Sequence, residues 1–190
     1  FMSDATNLVP GDINDNADAF VHDVSNKTTA LVSISTEGVA AGVESNQYLS
    51  MSADGRYVVF DSDSEDLIEY DENGFTDVFL RDMQTQGTTR VSVGLGSEAM
   101  EGGENGFLSA DGHFVVFEST SEDLTYLDKN NKYDVFVRDL TKATTVLAST
   151  TSGGVAGNNE NGSSGNEMSS MSSVSSVIGR TVFYSSSTDL

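Results

Sequence analysis

Cysteine is absent from the chain, which excludes disulfides, thiolate catalysis and zinc–thiolate sites. Basic residues are scarce. Nine Lys and Arg stand against 30 Asp and Glu, for a formal net charge of −21. Such a surface repels nucleic-acid phosphates and anionic membranes and attracts cations. No apolar run reaches the roughly 18 residues that a membrane-spanning helix requires. No window shows a 3.6-residue apolar period, so almost no helix is expected. The Gly-x-Ser-x-Gly elbow of a serine hydrolase is missing. Gly94-Leu95-Gly96 and Gly153-Gly154 lie between strand-like runs with no helix to follow, which argues against nucleotide binding. The only two histidines, His22 and His113, occupy different positions of a repeat described below, so they read as exposed variants and not as a catalytic pair.

What the chain does have is a threefold repetition. Asp12-Ile13-Asn14-Asp15-Asn16-Ala17-Asp18-Ala19-Phe20-Val21-His22-Asp23 returns as Asp71-Glu72-Asn73-Gly74-Phe75-Thr76-Asp77-Val78-Phe79-Leu80-Arg81-Asp82. It returns again as Asp128-Lys129-Asn130-Asn131-Lys132-Tyr133-Asp134-Val135-Phe136-Val137-Arg138-Asp139, at spacings of 59 and 57 residues. A period of this length marks a repeat architecture in which one supersecondary unit cannot bury its apolar face alone. A second signature, Ser52-Ala53-Asp54-Gly55-Arg56-Tyr57-Val58-Val59-Phe60, recurs 57 residues later as Ser109 to Phe117. A degraded copy spans 177–184, with Gly179 but no Asp before it. Asp-Gly between two β-prone runs is a strong hairpin signal, because Gly tolerates positive φ.

Each repeat therefore reads as four short strands. In the second they are expected at 47–52, 57–62, 77–82 and 88–93, with a polar turn at 83–87. The runs at 57–60 and 77–80 are β-branched and aromatic and too short for helices. Strands two and three should lie mid-sheet, with Phe60, Phe79, Phe117 and Phe136 as the core. Repetition of four-stranded units at this period is the pattern of β-propeller blades. The expected fold class is all-β, with four-stranded antiparallel blades and about three repeats of 57–66 residues, a partial propeller or a fragment of one. The whole of 1–190 reads as one repeat region, divided at about 1–59, 60–116 and 117–182, with 183–190 starting the next. A propeller has about 4–8 blades, so the open blade edges should meet further repeats of a longer chain, further copies of this one, or another protein. Residues 150–176 are rich in Ser, Gly, Asn and Met and read as an extended surface loop, with a contact surface at Met168 and Met171 as the other reading.

The acidic loops are the candidate site. Asp12, Asn14, Asn16 and Asp18 place oxygen donors at positions 1, 3, 5 and 7. Asp71, Asn73 and Asp77, and Asp128, Asn130 and Asp134, supply positions 1, 3 and 7 of the other copies. Hard oxygen donors at alternate positions of a tight loop suit calcium, as in the front half of an EF-hand loop. The competing reading is that these side chains form Asx-turns and cap backbone amides without metal. On sequence, the Asp12 and Asp71 loops should bind more tightly than the Asp128 loop, whose Lys129 and Lys132 repel a cation. Arg81 and Arg138 read as structural partners of Asp82 and Asp139 or of acids on adjoining strands.

The combined pattern, Phe-x-Ser-x-x-x-Asn/Asp-Leu (from Phe1, Phe60, Phe117 and Phe183), Asp-x-Asn-x-x-x-Asp-Val-Phe-Val-Arg-Asp and Ser-x-Asp-Gly-Arg-Tyr-Val-Val-Phe, resembles the TolB-like, WD-repeat-related β-propeller repeat of bacterial exported proteins. The resemblance covers nearly the whole chain. It departs at His22, where later copies have Arg81 and Arg138, and at the missing Asp before Gly179. It implies a propeller fold, often of six to eight blades, a periplasmic, cell-surface or secreted location, and binding or scaffolding in place of catalysis. The functional expectation is a non-catalytic extracytoplasmic module with calcium-stabilised loops, with no nucleic-acid partner and no membrane span. The alternatives are the propeller portion of a larger secreted peptidase or lyase, or a self-assembling structural protein.

Overall fold

The computed structural model describes residues 1–41, 48–96, 99–154 and 156–157, together with the backbone of 173–175 and 180–182. The described residues form strands, turns and irregular connections, without a helix. Strands β1 (Met2–Ser3), β2 (Asp18–Asp23) and β3 (Thr28–Leu31) form one sheet in that order. Strands β4 (Leu49–Met51), β5 (Tyr57–Ser62), β6 (Asp77–Asp82) and β7 (Gly87–Arg90) form a four-stranded sheet, each pairing with the next. Strands β8 (Glu104–Leu108), β9 (Phe114–Ser119), β10 (Asp134–Asp139) and β11 (Thr144–Leu147) repeat it, and β12 (Ser173–Ser175) pairs with β13 (Arg180–Val182). All pairings are antiparallel. Successive up-and-down four-stranded sheets, β5 of one lying against β8 of the next, are the blade arrangement of a propeller.

The repeat is as regular in space as in sequence. Phe60 stands opposite Phe79, and Phe117 opposite Phe136. Their rings stack with centroids 5.8 and 5.7 Å apart. Phe1 and Phe20 exchange both backbone hydrogen bonds and stack at 5.6 Å. Phe20, Phe60, Phe79, Phe117 and Phe136 are all fully buried, and each buried ring contributes roughly 1.5–3 kcal/mol. Strands β5 and β6 are buried along nearly their whole length, whereas β7 alternates between exposed and half-buried positions. The middle strands are covered on both faces, and the fourth lies at the outer edge.

The Asp-Gly hairpins form as expected. Gly55 and Gly112 take φ of 73° and 74°, and their amides donate to the carbonyls of Ser52 and Ser109 at 2.9 Å. The Asp54 and Asp111 carboxylates accept the Arg56 and His113 amides at 3.0 and 3.1 Å. The Ala53 amide donates to the Ala110 carbonyl at 2.8 Å, tying the two hairpins together.

Two expectations need correction. The fourth strand of the second repeat ends at Arg90 and does not run on to residue 93. Just past it the Val91 amide still donates to the Val78 carbonyl at 2.7 Å, and the Ser92 hydroxyl turns back to Asp77. Arg81 does not pair with Asp82. Its guanidinium donates to Thr88 Oγ1 and Gln86 Oε1, each at 3.0 Å. Asp82 is instead gripped at two points by Arg56, with Nε at 3.1 Å and Nη2 at 2.8 Å. Arg138 likewise donates to Thr145 Oγ1, while Lys142 pairs with Asp139. Asp23, Asp82 and Asp139 each cap the following turn, accepting amides such as Ser25, Gln84 and Thr141 at 2.8–3.0 Å. The degraded turn at 176–179 and Met168 and Met171 lie outside the described residues.

Candidate functional site: the acidic loops

The three acidic loops join equivalent strands and leave the same end of successive blades. Each closes onto a matching register pair: Ser3 with Asp18, Ser62 with Asp77, and Ser119 with Asp134. Inside each loop the position-3 Asn forms an Asx-turn. The Oδ1 atoms of Asn14, Asn73 and Asn130 accept the amides of Asn16, Phe75 and Lys132 at 3.1, 2.8 and 2.9 Å. The side-chain amide of Asn73 also donates to Asp77 Oδ2 and the Ala99 carbonyl, and that of Asn130 to the Gly157 carbonyl. These asparagines shape the loop, as the Asx-turn reading requires. The Asn16 side chain is exposed.

The position-7 aspartates are fully buried, and each is clasped by a serine that follows strand four. Ser33 Oγ donates to Asp18, Ser92 Oγ to Asp77 and Ser149 Oγ to Asp134. The same hydroxyls accept the amides of Ala19, Val78 and Val135 at 3.1, 3.1 and 2.9 Å. Sequence reasoning missed these serines, although they recur at the repeat spacings of 59 and 57 residues.

The position-1 aspartates differ in what they meet. In the second loop the Arg90 guanidinium enters between the two acids. Its Nη1 lies 3.6 Å from Asp71 Oδ1 and 3.5 Å from Asp77 Oδ2, and its Nη2 donates to the Tyr70 carbonyl at 3.2 Å. Only 6% of the Arg90 side chain is exposed. Arg90 stands opposite Phe79 in the sheet, and at the same register Leu31 stands opposite Phe20 and Leu147 opposite Phe136. The first and third loops therefore hold their acids without that guanidinium. Asp12 is 5% exposed and Asp128 0%. Asp12 Oδ1 and Asp128 Oδ2 are closed off from solvent and accept no hydrogen bond, and Asn14 Nδ2 is likewise buried with no acceptor. Burial raises the Asp12 carboxyl above its ordinary range, and the neighbouring Asp18 and Asp15 charges add to this. Asp128 is raised too, chiefly by burial, against the Asn130 amide and the Lys129 charge that pull it down. Among the described residues no three His, Asp or Glu side chains gather at one point. Each loop supplies a pair.

Exposed apolar side chains fringe this end of the blades. Ile13, Tyr70, Phe75, Tyr126, Leu127 and Tyr133, all on or beside the acidic loops, are at least 45% exposed. A cleft of about 250 Å³ opens between the second and third loops, lined by Phe75, Tyr133, Glu101, Glu104, Glu118 and Thr120 among others.

No protein-family model matches the chain, and comparison with curated proteins returns no match. Among solved structures the chain is similar to TolB from Acinetobacter baumannii, at 18% identity and a TM-score of 0.47, over 76% of this chain and 30% of that one. It is similar to the β-propeller domain of the Trilobed protease from Pyrococcus furiosus, at 11% identity and a TM-score of 0.42, over 68% and 33%. The tricorn protease matches at 12% identity and a TM-score of 0.42, over 71% and 11%. The chain spans at most about a third of each of these proteins. Its own sheet order and register carry the blade assignment.

Proposed function

We propose that this chain is part of a non-catalytic, extracytoplasmic propeller that binds a partner at the end where its acidic loops emerge, with calcium stabilising those loops. The observation that carries the reading is the placement of exposed Tyr70, Phe75, Tyr126 and Tyr133 around equivalent loops on adjoining blades. Rigid sheets hold the loops, and exposed rings rimmed by polar groups mark interaction surfaces. The cleft between Phe75 and Tyr133 carries Glu101, Glu104 and Glu118, in a chain of net charge −21. That chemistry fits a basic peptide segment, whose Lys or Arg side chains are attracted by the carboxylates and by aromatic faces. The resemblance to exported bacterial propeller repeats supports the location. Loops with only a pair of acids suit the weak calcium sites of extracellular modules, with Kd of about 10⁻⁴–10⁻³ M.

The test is calorimetric titration of the chain with a Lys/Arg-rich peptide and with an acidic peptide of equal length. The basic peptide should bind, and Phe75→Ser with Tyr133→Ser should weaken it about tenfold or more. Equal affinity for both peptides, or no effect of the double substitution, would remove the cleft as the binding face.

A further inference from the structure

The three loops are built alike, yet among the described residues only the second has a guanidinium set between its two aspartates. We propose that Arg90 is a tethered substitute for a metal ion, and that the chain binds two calcium ions, one beside Asp12 and Asp18 and one beside Asp128 and Asp134. The inference rests on the reading of the loops as cation sites and fixes which of them bind.

The molecule supplies an internal comparison. In the second loop a positive group lies within 3.6 Å of both the position-1 and the position-7 carboxylates and meets the carbonyl of the residue before them. This is the donor geometry that a hard cation would use: two carboxylates and a backbone carbonyl. Loops one and three keep both aspartates, buried to the same degree. They keep the Asx-turn and the serine clasp. What changes is position 90, occupied by Leu31 and Leu147 in the other copies, whose hydrocarbon side chains carry no charge. A buried carboxylate oxygen that accepts no hydrogen bond is costly. Asp12 and Asp128 each carry one such solvent-excluded oxygen. Asp71 has no such oxygen, because Arg90 takes it.

Gly11 and Leu127 hold the sequence position of Tyr70 in their copies. In the third loop Lys129 points its ammonium towards the Glu122 carbonyl, at 3.5 Å. Its field still weakens that site relative to the first. The proposal departs from the sequence-based ranking, which placed the second loop alongside the first.

The experiment is calcium titration of the metal-free chain by calorimetry, with the melting temperature followed in parallel. The expected stoichiometry is two. Arg90→Leu, which installs the residue that the other copies carry, should raise it to three. Leu31→Arg should lower it to one, leaving only the weaker site. The reciprocal pair keeps the test decisive where either variant alone folds poorly. Three ions bound by the unaltered chain, or a stoichiometry unmoved by both substitutions, would overturn the role of Arg90 while leaving the loops as calcium sites. No calcium bound at millimolar concentration by the unaltered chain or by Arg90→Leu would remove the loops as calcium sites altogether.

Discussion

The Asp61 carboxylate accepts the amide of Gly106, which belongs to the neighbouring blade, at 3.2 Å. It also accepts the adjacent Asn105 amide at 2.7 Å. Residues 105 and 106 form the irregularity in the pairing of β8 with β9, so their amides are free to turn towards β5. One carboxylate thereby fastens two blades. Burial pushes Asp61 up to about 7, although both amides pull it down, and the Glu104 and Glu118 charges add to the rise.

Burial of this carboxyl makes stability depend on pH. The folded chain holds the Asp61 proton up to about pH 7, whereas an unfolded Asp releases it near 3.9. The folded state therefore binds more protons between those values, and the Asp61 contribution to stability declines as pH rises through that window. The slope is at most about 1.4 kcal/mol per pH unit. Asp61→Asn should flatten the unfolding free energy from pH 4 to 7 relative to the unaltered chain. Parallel pH profiles for the two in urea denaturation would contradict this.

Gly106 is a point of close approach between the blades. A Cβ there would lie 2.6 Å from Val78 Cγ1 and 2.7 Å from Val59 Cγ1. Gly106→Ala should cost about 1–3 kcal/mol through overpacking of a filled core. A variant that melts within a degree of the unaltered chain would show that the blades can part without cost.

The serine clasps give a third expectation. Ser92→Ala removes the hydroxyl that bonds Asp77 and accepts the Val78 amide. Both groups are buried, so the loss should be about 1–3 kcal/mol. Ser33→Ala and Ser149→Ala should cost similar amounts, since they make the same bonds. Unchanged denaturation midpoints for all three would mean that water replaces the hydroxyl.

Much of this fold is legible in the sequence because it is written locally and repeated. The runs Tyr57–Ser62 and Asp77–Asp82 are strands to the residue, since β-branched and aromatic residues there are bounded by Asp-Gly and by the acidic loop. The Phe pairs follow from the same runs. The bond from Ser92 back to Asp77, just past the end of β7, is not local, because it reaches across the sheet. Arg90 itself looks like one more surface cation until the sheet register places it beside two buried acids. The fastening of Asp61 to the next blade requires knowing which strand lies alongside, and hydrophobic pattern carries no such information. The asparagines were ambiguous for a related reason: an Asx-turn and a metal loop demand the same residue at the same position.

Calcium should stabilise the chain by mass action, by about 2.7 kcal/mol per site at a concentration 100 times Kd. Thermal melts with calcium and with chelator should differ accordingly, and Asp12→Asn should remove the larger share of the difference. Identical melts under both conditions would leave the loops as Asx-turns alone.

The most direct measurement is anomalous diffraction from crystals grown in millimolar calcium. The account predicts a peak beside Asp12 and Asp18, a weaker one beside Asp128 and Asp134, and the Arg90 guanidinium in place of a peak between Asp71 and Asp77. Empty first and third loops, with the Asp12 and Asp128 carboxylates bonded to protein groups, would contradict it.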